Sequence, residues 1–227
     1  MIAPAQKKAN LSANRDVYRQ AFLGHVHRLL QLGYESLSPA TLNTAEEDDI
    51  TGLLCRRMKQ LTEVEPTERW MTHFSVHDQD PVNDVLDTAG KELRRGKRRP
   101  KLDIRLVSKT RIPNTRFCVE AKRLYRSDSL KDYLDHEGLG AFVDEYYAQD
   151  DDAAGMLGYA QTGPLAEWIG KVEAKLVENS SLRKTSKAET WVTATFAQGP
   201  ANTYLSRHYR TRSKSEIDIF HTFFVIN

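Results

Sequence analysis

The stretch PKLDIRLVSKTRIPNTRFCVEAKRL, Pro100 to Leu124, holds two short apolar segments, 102–107 and 116–124, around a polar turn with Pro113 and Asn114. Their lengths and β-branched content predict a hairpin of sheet strands. Glu120 and Lys122 are two residues apart on the second strand, so both side chains point to one face. Cys118 shares that face, while Val119 and Ala121 point the other way, toward core. Asp103 opens the first strand, and hairpin pairing brings its carboxylate beside Glu120. Two like charges so placed repel, and a cation between them makes the arrangement tolerable. A polar pair on an otherwise apolar strand conflicts with burial, as functional sites do.

Outward from the hairpin the chain reads as mixed α/β. The first dozen residues look like a loose leader. Val17, Phe22, Val26, Leu29 and Leu30 then recur at helical spacing over 15–34, where Gly33 offers a stop. A second helix is expected over 44–61, with Thr44 as N-cap, Glu47 three residues later, and a stripe of Ile50, Leu53, Leu54, Met58 and Leu61. Pro66 closes it. Residues 70–76 read as a strand and 78–87 as a loop. After the hairpin, 129–177 reads as helix in about three pieces divided by glycines, and strands follow near 190–196, 204–209 and 217–226. The expectation is an α/β fold with a mixed central sheet flanked by helices. Residues 1–43 form a leader and helix, and 44–227 the main domain.

Of the 227 residues, 40% are hydrophobic and 28% charged, so one sizeable core forms without staples. Net charge is only +2, but its distribution is uneven. Lys91 to Lys101 reads KELRRGKRRPK, and a second basic cluster holds Arg207, His208, Arg210, Arg212 and Lys214. Acids gather at 46–49 and 144–152. A polyanion-binding face with a metal pocket has this pattern, and so do a solvated loop and turn. Cys55 and Cys118 lack metal-ligand spacing and read as buried, reduced thiols. With no signal-like or membrane-length apolar stretch, the expected location is cytoplasmic, away from any membrane. The paired histidines (His25 and His27, His73 and His77) lack the partners of a zinc site. No phosphate-binding glycine loop, nucleophile elbow or CxxC is present, which disfavours an ATPase, a serine hydrolase and a redox enzyme.

Asp103 and Glu120 together can hold Mg²⁺, and Lys122 can orient a water and offset phosphate charge, as phosphodiester hydrolysis at neutral pH requires. An E-x-K tripeptide alone also occurs as a surface cross-strand pair. With its upstream Asp and flanking apolar residues, the set RPKLD then VEAK resembles the PD-(D/E)xK nuclease superfamily. Pro100 stands three residues before Asp103 instead of adjoining it. The likeness spans roughly 44–227 and extends to restriction-endonuclease-like proteins found near bacterial defence and mobile-element genes.

The resemblance implies a restriction-endonuclease-like fold and a Mg²⁺-dependent DNA endonuclease, with Mn²⁺ able to substitute. It implies Asp103 and Glu120 as metal ligands and Lys122 positioning the water. It also implies an acid from the helix before the sheet: Glu47 by preference, with Glu46 and Asp49 as other candidates. Gln161 would support the site from the helix after the Lys strand. Arg94, Arg95, Lys97, Arg98, Arg99, Lys101, Arg123 and Arg126 would grip phosphates. His208 and His221 are further candidates near the metal or phosphate, although a strand histidine is usually structural. RNA as substrate, a homodimer, and a non-catalytic subunit serving a partner ATPase or helicase all stay open.

Overall fold

Strands β2 (Lys101–Ser108) and β3 (Arg116–Leu124) pair antiparallel, with Ile104 opposite Val119 and Leu106 opposite Phe117. The hairpin thus forms in the expected register, in a computed structural model that describes residues 4–38, 42–81, 101–110, 115–178 and 191–226. Side chains are described from Asp16 onward, except at 80–81.

Around this hairpin a seven-stranded mixed sheet is built in the order β1-β2-β3-β4-β7-β6-β5. Edge strand β1 (Phe74–Pro81) runs antiparallel to β2. On the other side β4 (Ala153–Ala160) is parallel to β3, and β7 (Ser215–Val225) is parallel to β4. Strands β6 (Thr203–Arg210) and β5 (Val192–Thr193) complete the sheet antiparallel.

Strand alternation divides the apolar side chains between two faces. Phe117, Val119 and Ala121 meet α1 (Pro4–Glu35) and α2 (Glu47–Lys59) through Val26, Leu29, Leu30, Ile50, Leu54 and Met58. Cys118 and Leu124 meet α3 (Ser129–Leu134), α4 (Leu139–Val143) and α5 (Leu165–Glu178) through Tyr133, Phe142, Trp168 and Val172. The result is three layers, helix–sheet–helix, with α1 in the same core as α2. Among the described residues no helix is long and apolar enough to cross a membrane.

The structure departs from the sequence reading mainly at 153–160, expected as helix and found as β4. Every residue of β4 is buried, so AAGMLGYA carries no polar–apolar alternation to betray a strand. Its glycines answer to packing. A Cβ on Gly155 would lie 2.7 Å from the Phe117 ring, and one on Gly158 2.6 Å from the Phe223 ring. We expect Gly155→Val to lower unfolding free energy by about 2 kcal/mol through overpacking. Urea unfolding tests this, and an unchanged midpoint would overturn it.

Smaller shifts have local causes. Helix α1 begins at Pro4, within the expected leader. Residues Arg69–His73 form a 3-10 turn, so β1 starts at Phe74 and continues to Pro81, through part of the expected loop. The strand expected over 190–196 is only two residues long.

Candidate active site

Glu120 and Lys122 lie toward the end of β3, where the first turn of α2 meets the sheet. Asp103 arrives from β2, and its Oδ2 accepts the Ala121 N–H at 2.8 Å. That bond holds the carboxylate against the peptide next to Glu120. The Lys122 ammonium donates to Glu120 Oε1 at 2.7 Å and to Glu47 Oε1 at 3.1 Å. All four expected central residues therefore converge.

Their burial sets the electrostatics. Asp103 and Glu120 are 7% and 4% exposed. Burial pushes the Asp103 carboxyl up to about 6, against the pull of the Ala121 N–H and Lys122, with Glu47 and Asp48 adding to the push. Burial likewise raises Glu120 well above the usual carboxylate range, and the nearby Asp103 adds to it. Burial works against the Lys122 charge, yet Glu120 and Glu47 outweigh it and hold the ammonium more firmly protonated than usual. Lys122 is therefore a donor and a positive charge here, not a proton acceptor.

Glu120 Oε2 is buried with no hydrogen-bond partner among the described residues. Asp103 Oδ1 has only a long contact, 3.5 Å, from the Gln79 amide. An ionised oxygen left bare in the interior costs free energy that a cation can offset. Hard carboxylate oxygens with spare lone pairs suit Mg²⁺ or Mn²⁺. Among the described residues no group of three or more His, Cys, Asp or Glu side chains is placed to hold a metal by itself. Asp103 and Glu120 thus fit as a pair of ligands. Glu47 is engaged otherwise, because its Oε2 accepts the Arg123 N–H at 2.8 Å.

The supporting residues divide. Gln161, expected on a helix, directly follows strand β4, and it donates to the carbonyls of Leu42 at 3.0 Å and Ala45 at 2.9 Å, fixing the approach to α2 and hence Glu47. Arg123, expected on phosphate, instead donates to the Ala45 carbonyl at 3.1 Å and to the Glu46 carboxylate. Lys101 is exposed at the start of β2. Arg94, Arg95, Lys97, Arg98 and Arg99 lie outside the described residues.

His208 does not join the site. It sits on β6, three strands from β3, roughly 14 Å at the spacing of paired strands. There it ends a buried row: Tyr133 Oη to His221 Nδ1 at 2.9 Å, His221 Nε2 to Ser206 Oγ at 2.7 Å, Ser206 Oγ to His208 Nε2 at 2.6 Å. Arg210 is also buried, donating to the carbonyls of Ala148 at 2.7 Å and Asp151 at 2.9 Å. Arg207 is paired with Asp218 at 2.7 Å. The second basic cluster is therefore largely structural, with Arg212 and Lys214 exposed at the β6–β7 turn. Cys55 and Cys118 are free, buried thiols, each pushed up to about 12 chiefly by burial.

Two contributors had no sequence signal. Gln79 reaches Asp103 from a backbone with φ of 51°, and nothing in HDQDP marks it. Tyr147 donates to the Lys101 carbonyl at 3.0 Å. Burial, then the charges of Glu120 and Asp103, raise its phenol. No protein-family model, curated protein or solved structure matches the chain.

Proposed function

We propose that this chain is a metal-dependent nuclease of the restriction-endonuclease-like kind that hydrolyses phosphodiester bonds in DNA. The observation that carries the reading is the bare, buried Glu120 Oε2 beside Asp103 and the firmly protonated Lys122. Asp103 and Glu120 would hold Mg²⁺ or Mn²⁺. When bound, the metal supplies Lewis-acid stabilisation of phosphate charge and a more acidic water.

The remaining work falls to the chain's own groups. Lys122 offers N–H donors and positive charge to the attacking water and the scissile phosphate. Glu47 positions Lys122 through its Oε1 and ties α2 to β3 through the Arg123 N–H. The burial of Asp103 and Glu120 strengthens every charge interaction there. Support for the finer fold assignment comes from the mixed sheet with helices on both faces and from the placement of the acids on adjacent strands.

The test is incubation of the full chain with plasmid and with single-stranded DNA, in Mg²⁺, Mn²⁺ or EDTA. Strand breaks that require the metal support the reading. Folded protein that leaves both substrates intact in either metal overturns it. Salt-sensitive DNA binding in that case points to a non-catalytic subunit working with a partner ATPase or helicase.

A further inference from the structure

Where β3 and β4 end, an open groove of about 420 Å³ runs between the residues after β3 and the first turns of α5. Its lining mixes aromatic and apolar side chains with charged ones. Tyr125, half-buried, has the Arg123 guanidinium 4.4 Å and the Arg126 guanidinium 5.1 Å from its ring centroid. Opposite, the Lys171 ammonium lies 4.8 Å from the Trp168 ring centroid. The frame is fixed: Thr162 Oγ1 donates to the Tyr125 carbonyl at 2.8 Å, and Trp168 Nε1 donates to the Thr162 carbonyl at 2.6 Å. Arg126 and Lys171 are exposed, and Glu167, the single acid of the lining among the described residues, lies 3.6 Å from the Lys171 ammonium in an exposed pair that a phosphate can replace.

Aromatic rings interleaved with exposed cations provide what a single nucleic-acid strand asks of a surface. Unpaired bases stack on rings and on guanidinium planes, while phosphates meet the charges. The position matters as much as the composition. Tyr125 is three residues beyond Lys122, about 10 Å at strand rise. Lys122 shares the sheet face of Leu124, the face that α3 and α5 cover. The groove thus opens just past the carboxyl end of the strand that carries Glu120 and Lys122.

We propose that the groove binds an unpaired, single-stranded segment of nucleic acid flanking the cut site, with a base stacked on Tyr125 above the Trp168 floor and its phosphates on Arg126 and Lys171. This deepens the nuclease reading and rests on it for the location of the cut, while the binding itself does not need catalysis. A duplex keeps its bases paired and offers the ring nothing to stack on, so the groove favours substrates with a free or opened strand.

The experiment measures binding by the full chain in EDTA, where cleavage plays no part. The probes are a fluorescein-labelled oligo(dT) strand about 12 nucleotides long and a blunt duplex of equal length, a size within single-strand site sizes. The native chain is expected to bind the single strand more tightly. Arg126→Ala with Lys171→Ala should weaken single-strand binding roughly tenfold and reduce the slope of log affinity against log salt by about 1.4, at 0.7 for each lost phosphate contact. Tyr125→Leu should weaken it about five- to a hundredfold, the span of base stacking, and Tyr125→Phe should leave it near native. Thermal melting identifies any variant that has lost its fold, and the two exposed cations provide the arm least exposed to that risk. Equal binding of duplex and single strand, or native affinity in the folded Arg126→Ala, Lys171→Ala variant, overturns the groove assignment and leaves the nuclease reading standing. Intact groove binding without metal-dependent cleavage has the reverse meaning.

Discussion

Replacing Glu120 with glutamine leaves the protein folded and at least as heat-resistant as the native chain, while metal-dependent cleavage falls on the order of a thousandfold. The two halves of this result have one cause. The Glu120 carboxylate is buried, one oxygen has no partner among the described residues, and burial already drives it toward its neutral form. A neutral amide of the same shape is cheaper to bury, so stability does not suffer. Only a group retained for its charge gives a variant that is sturdier and inactive. Lys122→Ala separates the roles further. It removes the cation between Glu120 and Glu47. Activity should fall about a hundredfold or more, and stability by about 3 kcal/mol, because a buried carboxylate loses its counter-charge. Thermal melting with plasmid cleavage on the same preparations reads both axes. A Glu120→Gln variant that cleaves DNA like the native chain would sink the assignment of this site.

The second large effect is on stability against pH. Asp103 is held up to about 6 in the folded chain, against about 3.9 unfolded. Between those values the folded state binds more protons than the unfolded one, so this carboxyl's contribution declines as pH rises. Across the whole window the decline is about 3 kcal/mol, and it persists above it. Glu120 is raised too and carries the loss to higher pH. The buried, neutral His27 and His221 have lowered values and act in the opposite sense, so the native curve alone is a mixture. The informative comparison is with Asp103→Asn, measured by urea unfolding in EDTA. Relative to that variant, the native chain should lose about 2 kcal/mol from pH 4 to 6.5. Adding Mg²⁺ should then stabilise the native chain at pH 8 far more than at pH 5, because the ionised pair is the form that takes a cation. A native-minus-variant difference that stays flat with pH, or a Mg²⁺ effect equal at both pH values, would contradict this account.

How much of this the sequence revealed depends on which force placed each residue. Asp103, Glu120 and Lys122 were legible because strand period and hairpin register are short-range properties, and here both agree with burial. Glu47 was legible as an acid at the start of a helix, but not its task. The local pattern at Thr44 suggested a capping box, whereas α2 starts at Glu47 and the N-cap Glu46 makes no side-chain cap bond. Both Glu47 oxygens are instead used by β3, a tertiary contact that no local spacing announces. Arg123 was misread for the same reason, since a carbonyl from the α2 approach and the Glu46 carboxylate claimed it first. Strand β4 was hidden by being buried on both faces. The alternation that betrays a strand requires one face in water, and β4 has none.

The buried row of Tyr133, His221, Ser206 and His208 couples α3, β7 and β6 through shared hydrogens. Ser206 faces an imidazole nitrogen on either side, but its hydroxyl has a single hydrogen to give. Whichever ring receives it, the other has to donate to the serine oxygen, so the two histidines do not take their protonation forms independently. Tyr133 is tied to the same choice through His221 Nδ1. The four groups behave like a train of gears: turning one hydrogen bond around turns its neighbours with it.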